Sequence, residues 1–391
     1  MPPTNWGSAL LLWCTVVVPT VGGVGAQARR VEAPTIDATA MRAVPTVRVA
    51  AQRLSALSDD SVDFGRIAAG CFLDGGEAVA LSTTPRALLV LGPGASRFRS
   101  VGRGGTGPGE FNQPWALSCF SGDSVAVLEL FRVTTGAAKG GAMSSQMIEP
   151  LQGQKLLEPV GRFTSGRMLF RARTVAPNQR MGTQRDTVEL LLSKGAVDRK
   201  AMGERIAYLP ADEYVRVRRG EVSTMSVHPF GRSLLVATNA TTAYILDTGS
   251  DLLAALSTTQ APSRSVRFDM RRRPLERATV EAHWRRRQAA AGLKATREVE
   301  SLIAENTELP TYLPRFDRMV ALREGGVLLR QFRLDEDATT QWLLLDASLR
   351  PRGVMTLDAS TRVLAASGNR LLLLESSEQE SRLTIVAVAG R

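Results

Sequence analysis

The side chains able to do chemistry are few, and their spacing limits what they can do. Histidine occurs only at His228 and His283, without the paired spacing of a zinc site. Neither H-E-x-x-H nor G-x-S-x-G occurs, so no zinc-peptidase helix and no nucleophile elbow is encoded. A literal G-x-G-x-x-G runs from Gly102 to Gly107, but dinucleotide binding needs a helix to start there. Pro108-Gly109-Glu110 and then Pro114 follow instead, so the run reads as a turn. Arg103 and Glu110 on this loop are the candidate binding residues; the plainer reading is an ion pair between them. Asp123, Asn239 and Asp317 supply the oxygen donors that a calcium-like cation would need.

Three cysteines are present, and Cys14 lies in an apolar N-terminal run. Cys71 and Cys119 each open a similar segment, CFLDGGEAVAL and CFSGDSVAVL. They are therefore expected on the same strand of consecutive structural units, and they are the disulfide candidate. His228 is expected on an inner strand as a satisfied structural histidine.

Ala9 to Val18 is an apolar run closed by Pro19 and by Gly22, Gly23, Gly25 and Ala26. That is the pattern of a signal peptide over residues 1–26, and it is too short for a spanning helix of roughly 20 residues. The mature chain is thus expected to be extracytoplasmic, periplasmic or secreted, with no membrane span. Residues 27–43 are rich in Ala, Pro and Thr and read as a linker. The net charge is +11, yet aromatics make up only 5% and are not interleaved with the arginines. No stacking platform for nucleic acid is visible, and none is expected as a partner.

Beyond the linker the chain repeats. Hydrophobic–turn–hydrophobic units recur around Gly75, Gly122, Gly166, Gly231, Gly325 and Gly368, at spacings of about 47, 44, 65, 94 and 43 residues. A four-stranded propeller blade takes ~40–50 residues. The longest gap contains 274–306, rich in Ala, Glu, Arg and Leu, which reads as a helical insertion broken near Gly292. Its apolar stripe is expected to be Leu275, Ala278, Ala282 and Ala289. The 65-residue gap contains Val175 to Thr187, read as a long loop, and Val44 to Leu57 can supply the strand that completes the last blade. The fold expected is all-β: a six-bladed β-propeller over 44–391, with one helical insertion between blades 4 and 5.

GRGGTGPGEFNQP, from Gly102 to Pro114, resembles the inter-blade loop of NHL-type propellers, where a Gly-rich turn ends in Gly-x-Phe and a Pro leads into the next inner strand. Over nearly the whole mature length the chain is most similar to exported bacterial six-bladed β-propeller proteins of unassigned function. Those also carry a helical insertion before their last two blades and a Leu-Pro-x-x-x-Pro step, here Leu309 to Pro314. The function expected is an extracytoplasmic binding or scaffold module, monomeric, with a protein, peptide or glycan ligand and no cofactor. The alternative is a metal-dependent hydrolase or lactonase with a divalent, calcium-like cation in the central channel.

Overall fold

Runs such as Ala78 to Leu81 and Leu88 to Leu91 are buried at every position. Strands of that kind belong to sheets covered on both faces. The computed structural model describes residues 33–57, 62–149, 151–152, 155–174, 180–193, 203–258, 263–291, 294–377 and 380–389. The leader expected over residues 1–26 lies outside the described residues. Among the described residues, six sheets of four to six strands follow one another, antiparallel except for one added strand. Their inner strands are Ile67–Phe72, Ala116–Cys119, Lys155–Arg162, Leu234–Thr238, Phe316–Ala321 and Thr361–Ser367. Each inner strand contacts the next, and the sixth contacts the first. The sheets therefore radiate from a closed ring, a propeller-type arrangement.

The core lies between sheets. Phe72 and Leu89 of the first sheet pack with Leu364, Leu372 and Leu383 of the sixth. Val79 and Leu88 pack on the other side with Val125 and Val127 of the second. Each such side chain contributes about 1.5–3 kcal/mol when fully buried, which a lone twisted sheet could not gain. Arg48–Leu57 pairs antiparallel with Ser381–Ala389 and becomes the outermost strand of the sixth sheet. A strand from the N-terminal side of the chain and the last described strand thus meet in one sheet.

Four sequence-based expectations shift. The inner hairpin of the fourth sheet turns at Asn239 and contains no glycine; Asn239 Oδ1 accepts the Thr241 and Thr242 N–H groups at 3.0 and 2.8 Å. This asparagine turn does the work that glycine does elsewhere. Gly231 lies instead in the connection from the Val222–Val227 strand to Leu234, and His228 is in that connection rather than on an inner strand. The expected loop from Val175 to Thr187 is in part strand, because Gly182–Leu192 pairs with Glu204–Arg219. Within the expected linker, Thr35–Asp37 adds a parallel strand to the fourth sheet and buries Ile36. Asp37 then caps the Ala38–Arg42 helix.

Two helices, Arg277–Ala290 and Lys294–Glu305, lie between the fourth and fifth sheets in chain order. The first buries Val280 and Trp284 rather than Ala278 and Ala289, which are exposed. Valine and tryptophan one turn apart have far more apolar surface to hide than two alanines. They meet Val215, Val217, Phe230 and Leu313.

The inner hairpin turns are tied together at one end of the ring. Arg323, from the turn of the fifth sheet, donates to Phe72 O at 2.5 Å, to Phe120 O at 2.9 Å and to the Asp74 carboxylate. It thereby joins the fifth sheet to the first and second across the ring. Asn239 donates to Leu322 O at 2.9 Å, and Thr164 N–H to Ala240 O at 2.8 Å.

Candidate functional site

The opposite end of the ring, where the inner strands begin, carries the glycine-rich loop and a cavity. The loop is positioned by two charged residues that close the second sheet's middle hairpin. Glu129 and Arg132 are register partners flanking a two-residue turn, only 4% and 7% exposed, and paired at 2.5 Å. The other Glu129 oxygen accepts the Asn112 and Gln113 N–H groups at 2.6 and 2.7 Å. Arg132 donates to Thr106 O at 2.7 Å, Gly105 O at 3.3 Å and Glu110 O at 2.9 Å. One buried ion pair thus satisfies five backbone groups of the loop, and so meets the condition under which buried charge is tolerated.

Within the loop, Arg103–Gly104 and Glu110–Phe111 form a short parallel pair. Gly102 adopts φ +80 and lies flat on Phe111, where an added Cβ would stand 2.5 Å from the ring carbon Cε2. Only glycine fits that backbone and that contact. The structure brings Arg103 and Glu110 together: Arg103 Nε donates to Glu110 Oε1 at 2.8 Å. The Gly107 N–H donates to the other Glu110 oxygen at 2.9 Å. That backbone bond and then Arg103 hold the Glu110 carboxyl below the usual carboxylate range. With its oxygens engaged inside the loop, Glu110 acts on loop shape.

Beside this loop lies a cavity of about 500 Å³, lined by Thr83, Arg86, Asn112, Gln113, Trp115 and Glu158, among others. Residues from the first three sheets therefore converge on it. Arg86 packs against Gly104 of the loop, 3.6 Å from the position of an added Cβ. Trp115 is 43% exposed. It directly precedes the second inner strand, and its own N–H is held by Leu128 O at 3.1 Å. Glu158 faces Arg173 at 3.5 Å. An aromatic face with amide, carboxylate and guanidinium groups round it suits a ligand with one apolar and several polar edges.

The other sequence candidates lie elsewhere. Cys71 and Cys119 sit on neighbouring inner strands and are disulfide-bonded, with Cα atoms 5.8 Å apart. His228 is buried, its Nε2 3.0 Å from Glu308 O and its Nδ1 accepting the Phe230 N–H at 3.1 Å. Asp123 and Asn239 follow inner strands, at the turn end, whereas Asp317 is near the start of one. The Asp317 carboxylate accepts Arg330 Nε at 2.7 Å and Arg333 N–H at 2.9 Å. The three oxygen donors are not brought together, and no group of three or more His, Cys, Asp or Glu side chains suits a metal among the described residues.

Sequence reasoning singled out neither the Glu129–Arg132 pair nor Trp115. The available signal was a Glu-x-x-Arg spacing across a hairpin turn, with both charges inside an otherwise apolar stretch.

No protein-family model and no curated protein matches the chain. Solved structures do resemble it. A member of the DUF4221 family from Bacteroides vulgatus superposes with a TM-score of 0.53 at 10% identity, covering 88% of this chain and 98% of that one. A Bacteroides fragilis protein described as exported gives 0.47 at 9% identity, with 92% and 100% covered. A Xanthomonas campestris gluconolactonase gives 0.37 at 12% identity, with 88% and 96% covered. The likeness is one of fold. Among the described residues, no helix is long and apolar enough to cross a membrane.

Proposed function

We propose that this chain is an exported six-bladed β-propeller, with a helical insertion over 274–306, that binds a peptide or glycan segment at the cavity beside Trp115. The observation that carries the reading is the exposed indole at the rim of a cavity, on loops held by the buried Glu129–Arg132 pair. A pre-organised rim lowers the ordering cost of binding, and an aromatic anchor supplies contact area with few rotatable bonds. Asn112, Gln113, Arg86 and Glu158 would take the polar edge of the ligand. Export is supported by the leader-like run over residues 1–26 and by a cysteine pair at bonding distance. The alternative, a hydrolase with a calcium-like cation in the channel, needs donors other than Asp123, Asn239 and Asp317 acting together.

The test is a screen of glycan and peptide libraries, followed by titration of the best ligand against intrinsic tryptophan fluorescence. Trp115→Ala should weaken binding at least tenfold, about 1.4 kcal/mol, while leaving the melting temperature within a few degrees. Equal binding by wild type and Trp115→Ala would refute the site.

A further inference from the structure

The outer edges of the sheets differ in how they are protected. An unpaired strand edge invites another chain, and proteins blunt it with charge, bulges, short length or a covering segment. In the first and second sheets the outer strands, Arg99–Val101 and Ser144–Met147, are short. Thr35–Asp37 covers the fourth sheet, and in the fifth Pro45 and Val47 hydrogen-bond the backbone of Val354. In the sixth, Arg48–Leu57 is broken by two register shifts. The third sheet ends on Val222–Val227, VSTMSV, which pairs with Glu204–Arg219 without a shift and holds no charge or proline. Its two-residue turn, Gly220–Glu221, makes Arg219 and Val222 the closing hydrogen-bonded pair. The His228 N–H bond to Glu213 O at 3.0 Å keeps the same alternation. The N–H and C=O groups of Ser223, Met225 and Val227 therefore point away from the sheet, and no backbone group among the described residues takes them up. Val222, Met225 and Val227 are 66, 53 and 68% exposed.

Register divides the side chains by face. Val215 and Val217, opposite Ser226 and Thr224, are buried against the two helices. On the other face Arg218 stands opposite Ser223, Arg216 opposite Met225 and Tyr214 opposite Val227. Arg216 reaches over Met225, its Nη2 3.8 Å from Sδ, and Arg218 is exposed. Neither is in an ion pair among the described residues, whereas Arg219, on the helix face, is taken by Glu298 at 2.5 Å. At the Val227 end the Tyr214 hydroxyl donates to Asp186 Oδ2 at 2.7 Å. Beside the open edge, then, one face carries two guanidiniums at alternate positions and a carboxylate at its far end.

We propose that the Val222–Val227 edge docks an extended acidic segment of another protein, added as a further antiparallel strand of the third sheet. The outward backbone groups supply the hydrogen bonds, and the side chains on the Arg216 face supply selectivity. Residues of the added strand opposite Ser223 and Met225 lie roughly 10 Å, two strand spacings, from Arg218 and Arg216. An arginine and a glutamate close that gap from its two sides. Carboxylates are therefore expected at alternate positions of the segment, with an apolar residue opposite Val227, where Asp186 already stands. The net charge of +11 favours encounter with such a partner. A second copy of this chain, paired edge to edge about a two-fold axis, would bring its own Arg216 and Arg218 to the same face, and like charges oppose that pairing.

The probe is the capped, fluorescently labelled hexapeptide Val-Thr-Glu-Thr-Glu-Val, which puts both glutamates on one face of an extended strand. Its isomer Val-Thr-Glu-Glu-Thr-Val, which divides them between the two faces, is the control. Fluorescence anisotropy with the full chain at low salt should show the first peptide binding at least fivefold tighter. Methylating its two glutamate nitrogens, which would face Met225 and Ser223, should abolish binding without any change to the protein. Arg216→Gln/Arg218→Gln should remove the preference between the isomers, and Trp115→Ala should leave it intact, which separates this edge from the cavity. The proposal is overturned if neither peptide binds, if the isomers bind alike, if the methylated peptide binds as its parent does, or if the double arginine variant keeps the preference. A dimer in sedimentation that Met225→Lys disperses would assign the edge to a second copy and overturn it as well.

Discussion

Glu129 and Arg132 show how two charges can be worth burying. Their bond closes a hairpin, and their remaining hydrogen-bonding capacity is spent on the backbone from Gly105 to Gln113. Removing one partner of a buried pair leaves the other uncompensated, at a cost of about 3–5 kcal/mol. Arg132→Met should therefore lower the free energy of unfolding by about 3 kcal/mol, the low end, because Glu129 keeps the Asn112 and Gln113 N–H groups. Urea denaturation checks this, and limited proteolysis should show new cleavage between Gly102 and Gln113. Glu129→Gln keeps an acceptor oxygen and should cost less. If Arg132→Met melts as wild type and the loop stays resistant, the pair does not position the rim. Trp115 depends on the same loop, which makes the two residues readable together.

At the scale of elements, the Arg277–Ala290 helix docks through Val280 and Trp284, with His283 beside them. The His283 ring contacts Phe230 and Trp284 at 5.1 and 5.2 Å between centroids. Burial, with Arg287 and Arg286 adding to it, lowers His283 below its ordinary value despite the nearby Asp335. The unfolded state therefore takes up the proton first as the pH falls. Stability from this group is complete above about 6.5 and is lost as the pH drops through the lowered folded value. The melting temperature should fall as the pH drops below about 6.5, and His283→Gln should flatten that fall; an unchanged profile would mean that His283 stays solvated.

These elements also show what the sequence made legible. Turn glycines marked five of the six inner hairpins because a positive φ there selects them, as at Gly122, Gly166 and Gly368. The fourth hairpin escaped because Asn239 makes its turn with a side chain instead. The helices were visible from composition, but their buried face was misplaced, since alanine spacing says little about which side carries the larger apolar groups. Arg103 and Glu110 were found as a pair because they share a loop.

For the whole molecule, the problem is that a ring of sheets has a seam wherever neighbours are held by side chains alone. Arg48–Leu57 pairing with Ser381–Ala389 closes the sixth sheet with a strand from the N-terminal side of the chain. Arg323 ties three sheets across the turn end. The covalent tie is the Cys71–Cys119 bond between the first and second inner strands, closing a loop with a sequence separation of 48. In the chain-entropy account a loop of that length restricts the unfolded state by about 4 kcal/mol. Cys71→Ser/Cys119→Ser should therefore lower the free energy of unfolding by about that amount, measured by guanidinium denaturation against the oxidised wild type. Reducing agent should shift the wild type by a similar amount and leave the double variant unmoved. Both cysteines lie within the packing between these two sheets, Cys119 buried and Cys71 partly so, so the serine pair also carries a cost of burying hydroxyls. Cys71→Ala/Cys119→Ala avoids that cost, and the difference between the two variants separates polarity from the cross-link. An alanine pair as stable as oxidised wild type would show that packing and the closing strand hold the ring without the bond.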